Sequence, residues 1–181
     1  MKTSEKEIRP GKKRFKNFYV SVMLRFVGRA LQAVSKIDPE VRKEIAGLPE
    51  NCLIGMAVYP FGELGYKAPA MFVRKTETGR FRFEGGKAPA DKPDLLITFK
   101  NIETAMLVFT FREKTTEAQA YARFTADGML NIACTFVRIL NRTEIYLLPK
   151  PIALCAVRRY DAPPHKHRNR IHLYARTLLG I

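Results

Sequence analysis

The sequence predicts an α+β domain in which a five-stranded, mainly antiparallel sheet is covered by helices. Three observations carry that expectation. Apolar residues recur at the helical period after residue 14, short alternating runs broken by glycine and proline fill residues 50–99, and the helical period then returns. The length of 181 residues and the apolar content of 46% suit one domain with extensions.

Residues 1–14 are charged and contain Pro10-Gly11, so they read as a basic mobile arm. The first helix follows from Phe15, Phe18, Tyr19, Val22, Met23, Phe26, Val27, Ala30, Leu31 and Val34, with Lys16, Arg25, Arg29 and Gln32 on the opposite face. Two uses of this basic amphipathic helix are open. It can pack on the sheet, which is the preferred reading, or lie on an anionic leaflet. A second, short helix opens at Asp38-Pro39-Glu40, a capping residue followed by proline at the first helical position, and stops at Gly47.

Strands are expected at Cys52 to Tyr59, Ala70 to Lys75, Arg80 to Glu84 and Leu95 to Phe99, with a tight hairpin at Thr76 to Gly79. In Arg80-Phe81-Arg82-Phe83 the period of two puts the phenylalanines on one face and the arginines on the other. Beyond Phe99, Ile102, Ala105, Met106 and Phe109 mark a helix whose other side, Leu107, Val108 and Phe111, is apolar too. Such a helix is buried or faces a cavity. A turn at 112–115, a short helix at 116–122 and a last strand at 123–126, closed by Asp127-Gly128, come next. A long helical segment from Met129 to Leu148 shows Met129, Ile132, Ala133, Phe136, Val137, Leu140 and Ile145 as its inner face. Pro149 and Pro151 interrupt it, Ile152 to Arg159 makes one more short helix, and Pro163-Pro164 marks a linker. In the tail, Ile171, Tyr174, Ala175, Leu178 and Leu179 repeat helically among arginines.

The segment Pro93-Asp94-Leu95-Leu96-Ile97-Thr98-Phe99 before an apolar helix, the short helix Thr116 to Ala122, the run Phe124 to Ala133 with its Asp127-Gly128 turn, and the hairpin at Thr78-Gly79 stand in an order and spacing that resemble the sterol carrier protein type-two family. The resemblance covers residues 50–148. It departs from the family at Phe111-Arg112-Glu113-Lys114, where a threonine-glycine-lysine turn is common, and at Ala122, where a glycine is usual. The resemblance implies an apolar cavity between helix and sheet. It also implies non-enzymatic binding of a sterol, fatty acid, acyl-CoA ester or phospholipid. The lining it implies is Phe99, Ile102, Met106, Phe109, Phe111, Phe124, Met129, Ile132, Ala133 and Phe136. The lipid-binding domain would span 15–160, between the arm and a basic C-terminal tail at 161–181.

The net charge of +15 is concentrated at the ends. Met1 to Lys16 carries seven basic residues against Glu5 and Glu7, and the chain from Lys150 onward carries seven against Asp161. Lys12, Lys13, Arg14, Lys16, Arg168 and Arg170 are therefore candidate contacts to an anionic membrane. The alternative is a basic scaffold or nucleic-acid-binding module on the same fold, yet no helix-turn-helix, zinc-finger or RNP-like motif accompanies the charge, so nucleic acid is not expected.

No nucleophile elbow, P-loop or dinucleotide fingerprint is present, so neither catalysis nor a cofactor is expected. His165, His167 and His172 sit in a basic tail without nearby carboxylates, which argues against a metal. Cys52, Cys134 and Cys155 lie apart in apolar runs and read as core residues. No signal segment and no apolar run of spanning length is visible, and a cytoplasmic location is the expectation. Oligomeric state is open.

Overall fold

The computed structural model describes residues 13–61, 68–110, 122–148 and 166–179. Its elements, in chain order, are α1 (Arg14–Ile37), α2 (Pro39–Ala46), β1 (Leu53–Val58), β2 (Ala70–Lys75), β3 (Phe81–Gly85), β4 (Leu95–Phe99), α3 (Ile102–Phe109), β5 (Phe124–Gly128), α4 (Leu130–Leu147) and α5 (Lys166–Leu179). The five strands form one sheet in the order β3-β2-β1-β4-β5. All neighbours are antiparallel except β1 and β4, which run parallel with Ile54 opposite Leu95. The chain therefore crosses from β3, at one edge, to β4 on the far side of β1.

Side-chain alternation assigns the two faces of this sheet. Ile54, Met56 and Val58 of β1, Met71 and Val73 of β2, Phe81 of β3, and Leu95, Ile97 and Phe99 of β4 point into the helical layer and join one large core. Leu53, Ala57, Ala70 and Phe72 form a smaller cluster on the reverse face, with Phe61 and Leu96 against it. Gly55 lies beneath the Phe72 ring, and a Cβ there would stand 2.5 Å from a ring carbon. Gly128 is needed for two reasons: its φ of +144° is unsuited to side chains, and a Cβ would lie 2.2 Å from the Asp94 carbonyl.

α1 packs on the sheet by its C-terminal half. Gly28 lets Phe83 come so close that a Cβ would be 2.5 Å from its ring, and Val20, Leu24, Leu31 and Val34 are fully buried. Two polar side chains of α1 complete this contact in an unusual place. Ser35 Oγ accepts from Phe81 N at 3.2 Å and Gln32 Oε1 accepts from Phe83 N at 2.8 Å, so the outer edge of β3 is sealed by helix side chains. The N-terminal turns of α1 differ from the sequence expectation. Phe15 and Phe18, expected on the inner face, are 74% and 70% exposed, and Val22 is exposed as well. Near this end Lys13 pairs with Glu103, Lys16 reaches the same carboxylate at 3.4 Å, and Tyr19 donates to the Phe109 carbonyl at 3.4 Å.

Asp38 caps α2, accepting from Glu40 N at 2.8 Å, with Pro39 at the first helical position and Gly47 at the end, as the local sequence predicts. The same buried carboxylate also accepts from Arg142 Nε at 2.9 Å and Tyr146 Oη at 2.8 Å, tying α2 to α4. Arg138 adds a bidentate pair with Glu44 one level along. The hydrogen bonds outweigh the upward push of burial and hold the Asp38 carboxyl below its usual range. Lys75, at the end of β2, is buried and donates to the Leu48 carbonyl at 2.7 Å and to Glu50 at 2.8 Å, which secures the chain leaving α2.

The inner face expected of α4 is corrected in part. Of the expected face Ile132, Phe136 and Ile145 are buried, joined by Ile139, Thr143 and Tyr146, whereas Met129 and Val137 are exposed. Met129 is not in the helix at all: it is the extended residue preceding the first turn, so it escapes the helical period. Among the α5 side chains that are described, Leu173 and Thr177 are buried, while Ile171 is 72% exposed and Ala175 is exposed. The rotation is set by Arg170 and Tyr174, which both donate to the carbonyl of Leu147. α5 thus lies against α1 and α4. Of the cysteines expected in the core, Cys52 is buried, Cys134 is exposed and Cys155 lies outside the described residues. So do the turn and helix expected at 112–121, the helix at Ile152 to Arg159, and the linker at Pro163-Pro164.

Candidate functional site

The residues implied as a cavity lining converge on the end of the sheet where β4 and β5 meet α3 and α4. Phe99, at the last position of β4, is buried and stands opposite Phe124 of β5. Its ring centroid lies 5.6 Å from that of Phe109 in α3 and 5.9 Å from that of Phe124, tilted and edge-on respectively, a favourable aromatic arrangement. Ile132 and Phe136 of α4 are buried in the same core, and Ile102, Met106 and Ala133 are half-buried against it. Met129 does not join them, being 65% exposed, and Phe111 lies outside the described residues.

α3 begins with a tight cap, Asn101 Oδ1 accepting from Thr104 N at 2.8 Å, and it follows β4 after a single short turn. That cap fixes which sides of α3 meet the protein. Thr104, Ala105 and Phe109 are buried, yet Met106, Leu107 and Val108 are only half-buried although the helix is apolar nearly all round. Sequence reasoning identified this helix as apolar on more than one face, and the structure leaves part of that apolar surface accessible.

The described residues also form a hollow of about 290 Å³ beside the β2–β3 hairpin, lined by Asn51, Arg74, Lys75, Thr76, Glu77, Thr78 and Arg82. Its cations already hold carboxylates. Arg74 is paired with Glu84 at 2.7 Å and Asp91 at 2.9 Å, Lys75 with Glu50, and Arg82 with Glu84 at 3.0 Å. An anion entering there would compete with these pairs, and the walls are too polar for an apolar guest.

Of the candidate anion contacts, Lys13 and Arg14 are exposed and Lys16 is half-buried. Lys12 lies outside the described residues, and Arg168 is in α5. Arg170 is turned inward, with its guanidinium 5.5 Å from the centre of the Tyr174 ring. Sequence reasoning missed one titratable group. Glu144 of α4 has Oε2 sealed from solvent with no hydrogen-bond partner, and burial pushes its carboxyl up to about 7. It lies among apolar positions of an amphipathic helix, where its period alone could have flagged it. Among the described residues no three His, Cys, Asp or Glu side chains converge as metal ligands, and no helix is long and apolar enough to cross a membrane.

The described residues thus define an α+β domain with helices packed on a mixed five-stranded sheet and a partly accessible apolar helix at one end of it. Solved structures similar to it include ones named as sterol carrier proteins. The "UbiJ-SCP2 ubiquinone synthesis protein" matches at 11% identity, covering 71% of this chain and 98% of the other, with a TM-score of 0.45. A Thermus thermophilus protein described as possibly a sterol carrier protein matches at 14% identity over 78% and 90% of the two chains, TM-score 0.44. Sterol carrier protein 2 of Yarrowia lipolytica, in its apo form, matches at 14% identity over 70% and 93%, TM-score 0.46. No family model and no curated protein sequence matches the chain.

Proposed function

We propose that this chain binds and carries, or presents, a hydrophobic lipid without transforming it. The ligand class is a sterol, fatty acid, acyl-CoA ester or phospholipid, held among α3, α4 and the β4–β5 end of the sheet. The observation that supports this most is α3: it is apolar on nearly all sides, yet Met106, Leu107 and Val108 stay partly accessible. Each methylene of an acyl chain laid against such surface gains about 0.8 kcal/mol, and methionine adapts its shape to an irregular guest. In this reading residues 15–160 are the carrier domain and residues 1–14 a basic arm.

The test is direct. Gently purified protein should release lipid into an organic extract, and a fluorescent fatty acid should bind saturably and be displaced by sterol or acyl-CoA. Met106→Asp should weaken probe binding about 30-fold or more, because the new carboxylate must be desolvated against the guest. Its melting temperature should change little, since Met106 is only half-buried. An empty extract together with no saturable probe binding would end the proposal.

The second part of the reading is delivery at an anionic membrane. Phe15, Phe18 and Val22 form an exposed stripe at helical spacing on α1, with Lys13, Arg14, Arg25 and Arg29 exposed on the same helix or just before it. Apolar insertion combined with cations near an anionic leaflet is the recipe for reversible docking. Phe15→Ser/Phe18→Ser should lower binding to phosphatidylserine-containing vesicles about tenfold while leaving probe affinity unchanged. Equal vesicle binding by the wild type and this variant would rule out the stripe as the docking face.

A further inference from the structure

The two edges of the sheet are treated differently. β3 is closed by Ser35 and Gln32, which take up the outward N–H groups of Phe81 and Phe83. β5 has no such cover among the described residues: Thr125, Ala126, Asp127 and Gly128 are all exposed, and Met129 and Leu130, next along the chain, are 65% and 77% exposed. An open strand edge is a template for another strand.

The ladder fixes which groups point outward. Lys100 N donates to the Arg123 carbonyl at 3.0 Å, and Lys100 and Arg123 continue the register in which Phe99 faces Phe124 and Leu95 faces Gly128. In an antiparallel pair the hydrogen-bonded positions alternate. Arg123, Thr125 and Asp127 therefore turn their backbone groups to β4, and Phe124, Ala126 and Gly128 turn theirs to the open edge. Because Phe124 packs into the helix-side core, the side chains of Arg123, Thr125 and Asp127 lie on the reverse face. There Asp127 faces Leu96 and makes no ion pair among the described residues.

From this pattern we infer that β5 pairs antiparallel with β5 of a second copy of this chain, about a two-fold axis through Thr125, joining two sheets into one of ten strands. With Thr125 opposite its own counterpart, Phe124 of each copy exchanges backbone hydrogen bonds with Ala126 of the other. Arg123 of each copy then stands directly opposite Asp127 of the other. The outward backbone groups and the side-chain charges are thus self-complementary in the same register, which is what an isologous contact requires. A five-residue strand pair buries less than the roughly 1,200 Å² of standard interfaces, and two molecules of charge +15 repel at long range. The dimer is therefore concentration-dependent and is helped by salt that screens the repulsion.

The experiment is sedimentation of the full chain in about 0.3 M salt, from roughly 10 µM to 1 mM, with hydrogen exchange read at both ends of the series. The wild type should pass from monomer to dimer as the amides of Phe124 and Ala126 become protected. Ala126→Pro removes an outward N–H that β4 does not use, so it should keep the fold and its melting temperature but stay monomeric. Asp127→Arg should weaken the dimer about tenfold or more, and Arg123→Asp/Asp127→Arg should restore it. A wild type that is monomeric throughout, or a dimer indifferent to Ala126→Pro, overturns the inference. The first of those results would leave the edge to a strand from another protein.

Discussion

Replacing Asp38 with alanine should cost this protein about 3 to 5 kcal/mol of stability, the range for breaking a buried charge pair by removing one partner. The carboxylate is 1% exposed and does three things at once. It caps α2, and it accepts from Arg142 and Tyr146 of α4. Alanine leaves the Arg142 guanidinium, which is largely buried, with Glu40 at 2.7 Å as its remaining carboxylate among the described residues, and leaves the buried Tyr146 hydroxyl without this acceptor. For a chain of this size 1 kcal/mol corresponds to about 2–4 °C, so the melting temperature should fall by about 10 °C. Asp38→Asn, which keeps an acceptor for the cap and loses the charge, should fall between the two. The pH dependence has a defined sign. The folded carboxyl lies below its usual 3.8, so its contribution is present above that value and is lost as pH falls through the folded pKa. Denaturation of the wild type should therefore show an acid limb that is shallower in Asp38→Asn. A loss below about 1 kcal/mol in Asp38→Ala would mean that the network adds little beyond an ordinary helix cap.

Glu144→Gln should act in the opposite direction, making the protein more stable at pH 8 and leaving it nearly unchanged at pH 4. The group is the reverse of Asp38: burial without a partner raises its carboxyl from 4.5 to about 7. The folded state then holds the proton more tightly than the unfolded chain. Below pH 4.5 both states are protonated and nothing is lost. Between 4.5 and about 7 stability falls as pH rises, and above about 7 the whole penalty is present. A rise of that size corresponds to up to about 3 kcal/mol. The glutamine amide is itself buried without a partner, so the net gain at pH 8 should be about 1 to 2 kcal/mol. Chemical denaturation of the two proteins at pH 4 and pH 8 checks it. An equal difference at both values would show that the Glu144 carboxyl titrates alike in the folded and unfolded chain, so that burial does not raise it.

These two side chains mark where local sequence stops being informative. Asp38 was legible as a helix cap because a capping residue before proline is a local signal. Its bonds to Arg142 and Tyr146 span more than a hundred residues and leave no local trace. The strands β2 and β4 follow directly from short apolar runs and their punctuation. The faces of α4 and α5 do not, because a helical period identifies a stripe but not the neighbour that selects it. Val137 and Ile171 belong to apolar stripes that no described element covers. The candidate interior was legible to the same extent: Phe99, Phe109, Phe124, Ile132 and Phe136 come together, and Met129 falls outside the helix that would have brought it in.

The sequence by itself determined the class of fold, the order of its elements, the hairpin at Thr76–Gly79 and the charge at the two ends, because each rests on interactions between residues close in the chain. Only the tertiary structure decided that β1 and β4 run parallel, that α1 seals one sheet edge while no described residue covers the other, and that two phenylalanines of α1 are exposed. Those outcomes depend on which surfaces meet, and the free energy of burial is set by distant neighbours that a local pattern does not contain.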